Sequence, residues 1–156
     1  MSQSTYTLAE ATRKLEQYCA YQERCHQEVR EKLRGMHMIS EAVDLIVVHL
    51  IEHNYLNEER FACSFARGKH RIKHWGRIRI VSELKFRGIS KPNITTALKE
   101  IENDYLDHFE AVAQRHWETL VEPRPMVKRK KFCDYLLRKG FESQLVYEKA
   151  VTLERM

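Results

Sequence analysis

Apolar residues recur along this chain at helical rather than strand spacing. Ile39, Val43, Ile46, Val47 and Leu50 are four, three, one and three positions apart, which puts them on one face of a helix. Ile94, Ala97, Leu98 and Ile101 repeat the pattern about fifty residues later. Ser40 and Ser90 stand where helix N-caps are expected, with Pro92 in a first turn, where its missing N–H costs nothing. Asn57 and Asp107 each follow a Tyr-Leu pair and read as N-caps of the next helices. Taken together the stripes predict nine helices, over 7–22, 26–35, 40–54, 57–73, 77–87, 91–102, 107–120, 126–139 and 143–154. With three prolines and five glycines in 156 residues, few positions break them.

The pattern is also copied. "IEHNYLNEERFA" from Ile51 is echoed by "IENDYLDHFEA" from Ile101. "ELKFRGIS" (83–90) resembles "YLLRKGFE" (135–142): in each, a Leu is followed four residues later by Gly and then by a large apolar residue. Gly88 and Gly140 therefore read as left-handed helix C-caps, with Ile89 and Phe141 folding back. "KLRGMHMIS" (32–40) is a third copy, with His37 in the glycine position. Leu33, Leu84 and Leu136 are spaced by 51 and 52, which defines a unit of about fifty residues and three helices. Such a unit cannot bury all its stripes alone, so stacked neighbours are expected to share a core. "LVEPRPMVKRK", with Pro123 and Pro125, is the clearest linker.

Composition narrows the class. Hydrophobic residues make 43% and charged residues 31%, which suits a folded soluble chain. The richest apolar run, Ala42 to Ile51, contains Asp44 and His49, so no membrane association is expected. The first residues lack a basic segment followed by an apolar one, so a cytoplasmic location is expected. Cys19, Cys25, Cys63 and Cys133 are scattered and read as reduced, packed thiols.

Little in the sequence points to catalysis. Phosphate-binding glycine loops, nucleophile elbows and H-E-x-x-H pairs are missing. His49/His53 and His70/His74 have the i, i+4 spacing of metal ligands, but no further ligands accompany them, so they read as structural. Glu58 and Glu59 follow the Asn57 cap and read as first-turn acids that favour the positive end of a helix.

Charge is distributed unevenly. The net values are −3 over residues 1–66, +8 over 67–91, −5 over 92–122 and +5 over 123–156. Arg67, Lys69, Arg71, Lys73, Arg77 and Arg79 surround Trp75, and Lys85 and Arg87 follow. Lys128, Arg129, Lys130 and Lys131 form a second block. Cations around an aromatic suit an anionic partner, whether nucleic acid or acidic protein. These thirteen residues are the candidate partner-binding set.

Four groups of residues carry a family resemblance. They are Arg24, Glu28, Val29, Lys32 and Leu33; Tyr55, Leu56, Asn57, Glu58, Arg60, Phe61 and Ala62; Gly76, Arg79, Ile80, Glu83, Leu84, Arg87, Gly88 and Ile89; and Leu137, Arg138, Lys139, Gly140 and Phe141. In this order and spacing, over about residues 10–154, the chain resembles the RecX family, bacterial regulators of the RecA recombinase. It departs from the family pattern at Cys25, where a capping Ser is usual, at Asn54 in place of a glycine, and at Met36 and His37 in place of a basic-Gly pair. The resemblance implies an all-α fold of three tandem three-helix modules, 1–56, 57–106 and 107–156, forming an elongated curved molecule. It implies a non-enzymatic monomer that binds RecA and the RecA–DNA filament, limits recombinase, ATPase and coprotease activity in DNA repair and the SOS response, and needs no cofactor or metal. Weak direct contact with DNA is part of that expectation. The competing reading is a helix-turn-helix DNA-binding protein. Against it, "KPNITTALKEI" and "ESQLVYEKAV", which would be recognition helices, carry few cations.

Overall fold

The computed structural model describes residues 5–156; the first four residues of the 1–56 module lie outside it. The described chain is all helical: α1 (Leu8–Tyr21), α2 (His26–Gly35), α3 (Ser40–Glu52), α4 (Glu58–Lys73), α5 (Arg77–Phe86), α6 (Lys91–Lys99), α7 (Tyr105–Thr119), α8 (Pro125–Lys139) and α9 (Ser143–Glu154).

One helix cap, used three times, sets the frame. His37, Gly88 and Gly140 have φ of 60°, 74° and 95°. The N–H after each folds back onto a leucine carbonyl: Met38 to Leu33 at 3.1 Å, Ile89 to Leu84 at 3.1 Å and Phe141 to Leu136 at 3.2 Å. Leu33, Leu84 and Leu136 are all fully buried. The register continues into the following helices, where Val43, Ile94 and Val146 are buried equivalents, as are Leu50, Ile101 and Leu153. A non-glycine in the left-handed region is costly, so His37 keeps the cap at some expense in stability.

The echo between Ile51 and Ile101 is not this register. Ile51 is exposed where Ile101 is buried, and Leu56 is buried where Leu106 is exposed. Two other expectations are corrected. Ser40 is the first helical residue, and Ile39 is the N-cap of α3. The N-cap of α7 is Asp104, not Asp107. The reason is Tyr105: it is wholly buried, and its hydroxyl bonds Glu142 and the Arg77 N–H, so the helix must begin there. Asn57 does cap α4, its side chain accepting from the Arg60 N–H at 3.0 Å. Ser90 is the N-cap of α6 without a side-chain bond. Asn54 takes the left-handed conformation at φ 61° that its glycine-like position requires.

Two cores form. Ala11, Leu15, Val29, Leu33, Ile46 and Leu50 lie in one, built from α1–α3. The other is continuous across α4–α9 and, among the described residues before α4, takes in only Cys25, the N-cap of α2. A polar clamp joins the two parts. Arg60 Nε donates to both Glu23 carboxylate oxygens at 2.8 Å, and its terminal nitrogens bond the Asn54 side chain and the Asn54 and Tyr55 carbonyls.

The second contact of note lies within the larger core. The N-terminus of α5 meets the C-terminus of α8 end to end. The Gly76 N–H donates to the Lys139 carbonyl at 2.7 Å, and the Ile78 N–H to the Gly140 carbonyl at 3.0 Å. Orphan donors of one helix thus satisfy orphan acceptors of another, the positive end of α5 meeting the negative end of α8. Only glycines permit this approach. A Cβ on Gly76 would sit 2.5 Å from the Phe141 nitrogen, and one on Gly140 would sit 2.5 Å from the Arg79 nitrogen.

Candidate functional site

The first basic block wraps the junction of α4 and α5. Lys69 lies 5.0 Å from the Trp75 ring centre, and Arg79 lies 4.1 Å from it. Trp75 is half-buried and meets Phe65 edge-on, with centroids 6.0 Å apart. Arg87 covers Phe65 at 4.8 Å. Cations and aromatics therefore alternate across the surface, each cation gaining from the ring face below it.

Not every cation is free to meet a partner. Arg67 pairs with Glu100 at 3.4 Å, Arg77 with Glu142 at 2.8 Å and Arg87 with Glu83 at 2.8 Å. Arg77 also stacks 3.8 Å over Tyr105, and Arg79 donates to the Arg138 carbonyl at 3.2 Å. Both have structural duties at the α5–α8 junction. Burial, helped by the Glu142 carboxylate, pushes the Tyr105 hydroxyl well above the ordinary phenol range, so it stays a donor. Among the described residues, Lys69, Arg71, Lys73 and Lys85 have no carboxylate partner, and Arg71, Lys73 and Lys85 are exposed.

The second block is placed apart. Lys128 to Lys131 lie in the first half of α8, eight or more residues before the end that meets α5, or ~12 Å along the axis. Three of its four cations are matched: Arg129 by Glu154, Lys130 by Asp134 at 2.8 Å and Lys131 by Glu122 at 3.3 Å. Bonds from Arg124 and then Lys131 pull the Glu122 carboxyl down to about 2. Lys128 sits 4.1 Å from the Trp117 ring centre. The two blocks thus differ in kind: the first is largely uncompensated and the second largely neutralised.

Two cations extend the first block that the sequence reading did not include in the set. Lys139 reaches the Lys73 carbonyl at 3.1 Å, and Arg138 is exposed beside it. Burial, then Arg79 and Lys73, lower the Lys139 pKa, a sign of crowded positive charge. Their signal was present as the two cations before the Gly140 cap, but only the fold brings Lys139 to α4.

The histidines form a cluster beside this face. His70 is buried, with Nδ1 2.8 Å from the Trp75 carbonyl, and its Nε2 has no partner. His74 Nδ1 and His108 Nε2 are 3.0 Å apart. Burial lowers the pKa of all three. Among the described residues no group of three or more His, Cys, Asp or Glu is placed to hold a metal. His49 instead pairs with Glu16 at 2.8 Å and stacks on His53. All four cysteines are free and buried, and Glu58 and Glu59 lie in the first turn of α4. Among the described residues no helix is long and apolar enough to cross a membrane.

Known proteins share both sequence and fold. Residues 57–98 match the family model described as RecX, second three-helix domain. The chain is 34% identical over 115 residues to Regulatory protein RecX of Yersinia pseudotuberculosis, covering 71% of this chain and 62% of that protein. It is 32% identical over 108 residues to Regulatory protein RecX of Serratia proteamaculans, covering 67% and 63%. The chain thus spans a little under two thirds of these relatives. Two crystal structures share the fold. One, of regulatory protein RecX, gives a TM-score of 0.81 at 23% identity, covering 93% of this chain and 73% of that one. The other, of RecX from Lactobacillus salivarius, gives 0.78 at 21%, covering 96% and 97%.

Proposed function

This chain belongs to the RecX family, and on that premise we propose that it is a non-enzymatic regulator that binds RecA and RecA–DNA filaments and limits their recombinase, ATPase and coprotease activity. Of the modules 1–56, 57–106 and 107–156, the second and third carry the proposed contact residues, and the protein acts in the cytoplasm. The observation that carries the reading is the α4–α5 surface. Arg71, Lys73 and Lys85 there lack carboxylate partners among the described residues, while Lys69 and Arg79 lie over the Trp75 ring. A nucleoprotein filament offers acidic protein surface and DNA phosphate together, and uncompensated cations speed association with either. Lys128 and the matched cations of α8 form the outer part of the same proposed set.

The test is DNA-dependent ATP hydrolysis by RecA. Added in stoichiometric excess, the protein should suppress it while hydrolysing no ATP alone. Unchanged RecA turnover would refute the proposal.

A further inference from the structure

The corner where α7 and α8 meet the end of α4 holds a pocket of about 340 Å³, and none of its lining residues belongs to the two basic blocks. α7 supplies most of the wall. His108, Ala111, Val112, Arg115, His116 and Thr119 follow one another at spacings of three, one, three, one and three, so one face of the helix carries them all. α4 adds His74 from its C-cap, and α8 adds Tyr135.

The walls are aromatic and braced. His116 stacks on Tyr135, with centroids 3.7 Å apart and 13° between the planes. His74 Nδ1 lies 3.0 Å from His108 Nε2, and buried His70 backs His108 with centroids 4.2 Å apart. Ala111 and Val112 add small apolar surface.

The fixed charge around the pocket has one sign. No carboxylate lines it. Arg115 and Arg138 are exposed and have no carboxylate partner among the described residues; Arg138 donates to the Asp134 carbonyl of its own helix at 3.3 Å. Lys139 lies 5.6 Å from the Tyr135 ring centre. Burial, then His108, Lys139 and Arg115, lower the His74 pKa, and burial, then Arg138, lower that of His116, so these cations face the cavity. Asp104 favours the charged forms of His70 and His108 but is not among the lining residues. Imidazole and phenol rings beside unpaired cations suit a planar π system that carries a negative group. The volume lies near the lower end of the range of about 300–1,000 Å³ for small-ligand sites, which admits one such group and no duplex.

We propose that this pocket binds a single nucleotide, its base against the His116–Tyr135 and His74–His108 walls and its phosphate on Arg115. A free nucleotide and an unpaired residue of a single strand present the same base and phosphate. For a strand, Arg138 and Lys139 border the pocket as cations for a neighbouring phosphate.

The test is an NMR titration of the isotope-labelled protein. No RecA is present, so its failure leaves the filament reading standing. The probes are deoxyadenosine monophosphate, a short oligodeoxyadenylate, an abasic strand of equal length and inorganic phosphate. The first two should shift the resonances of His74, His108, Ala111 and Arg115 saturably. The last two, which lack the base, should bind more weakly by about tenfold or more. A strand that binds more tightly than the monophosphate identifies the ligand as a strand residue, and equal affinity identifies a free nucleotide. Arg115→Ala removes the phosphate contact, and Ala111→Leu fills the space; both positions are exposed, so the fold is spared. Each should weaken binding of deoxyadenosine monophosphate by about tenfold, as for one lost charge-assisted contact or a blocked pocket. The absence of saturable shifts at these residues, an abasic strand or phosphate that binds as tightly as the nucleotide, or wild-type affinity in either variant overturns the proposal.

Discussion

Gly88→Ala and Gly140→Ala place the same methyl group at equivalent caps and should have very different consequences. Both glycines have positive φ, so each substitution carries the conformational cost of alanine in the left-handed region, about 1 kcal/mol. At Gly88 nothing lies within 4 Å of the new Cβ, and the cost ends there. At Gly140 the new Cβ meets the Arg79 nitrogen at 2.5 Å and its Cα at 2.9 Å. Backbone cannot rotate away, so α5 must retreat from the end of α8. That stretches the bonds from Gly76 to Lys139 and from Ile78 to Gly140, each worth about 1 kcal/mol. The sum for Gly140→Ala is on the order of 3–4 kcal/mol. For a chain of this size 1 kcal/mol moves Tm by about 2–4 °C, so Gly88→Ala should lower it by a few degrees and Gly140→Ala by roughly 10 °C. Gly76→Ala isolates the steric part: its φ is −84°, with no left-handed cost, yet its Cβ would strike Gly140 and Phe141. The double variant Gly76→Ala/Gly140→Ala should be less than additive, since a junction already opened accepts the second methyl cheaply. Thermal melts by circular dichroism at 222 nm decide it. Equal shifts at Gly88 and Gly140, or no shift at Gly76, would refute the end-to-end packing of α5 on α8.

Arg60→Ala removes the clamp between the two cores and should cost about 2 kcal/mol in denaturant unfolding, as for hydrogen bonds to charged groups; Lys130→Ala, which breaks an exposed i, i+4 pair, should leave the unfolding midpoint unchanged. Trp75→Ala should lower Tm as well as filament affinity, because Trp75 packs on Phe65 beneath Lys69 and Arg79; a lowered affinity with unchanged Tm would contradict that placement. Burial depresses the pKa of His70, His74 and His108 in the folded state, and the three oppose one another's protonation, as do Arg71, Arg115 and Lys139, while Asp104 favours it. The unfolded chain therefore binds more protons below its histidine pKa of about 6.5, and stability should be complete above that pH and fall as pH drops toward the folded values. His108→Gln should flatten the slope of stability between roughly pH 7 and pH 5; an unaltered slope would exclude the cluster as its source.

The sequence carried the fold where a local rule was decisive. A Leu followed four residues later by a left-handed residue and an apolar one is a complete cap, so Leu33, Leu84 and Leu136 marked three equivalent helix ends, even with His37 replacing glycine. The Tyr-Leu echo misled because like strings need not share a register. Ile51 and Ile101 point opposite ways, and Asp107 lost the cap to Asp104 because Tyr105 is drawn into the core by Glu142 and Arg77. The candidate face was legible as charge but not as pairing. Arg77 and Glu142 are 65 residues apart, and Arg129 and Glu154 are 25 apart, so no local pattern shows that they neutralise each other. For the same reason the mutual contact of Gly76 and Gly140 cannot be read from either motif alone.

The central claim is that the uncompensated cations of α4 and α5 meet a RecA–DNA filament. Co-sedimentation tests it most directly, with wild type and Arg71→Glu/Lys85→Glu each mixed with RecA–DNA filaments, bare DNA and free RecA over a salt series. Neither position makes an ion pair among the described residues, so the variant should keep the wild-type Tm to within the effect of a surface change of about 0.5 kcal/mol. Wild type should pellet with filaments more than with DNA or RecA alone, and increasingly so as salt falls, while the variant should lose most of that binding and its salt dependence. A variant that pellets with filaments as wild type does, at every salt concentration, would contradict the claim.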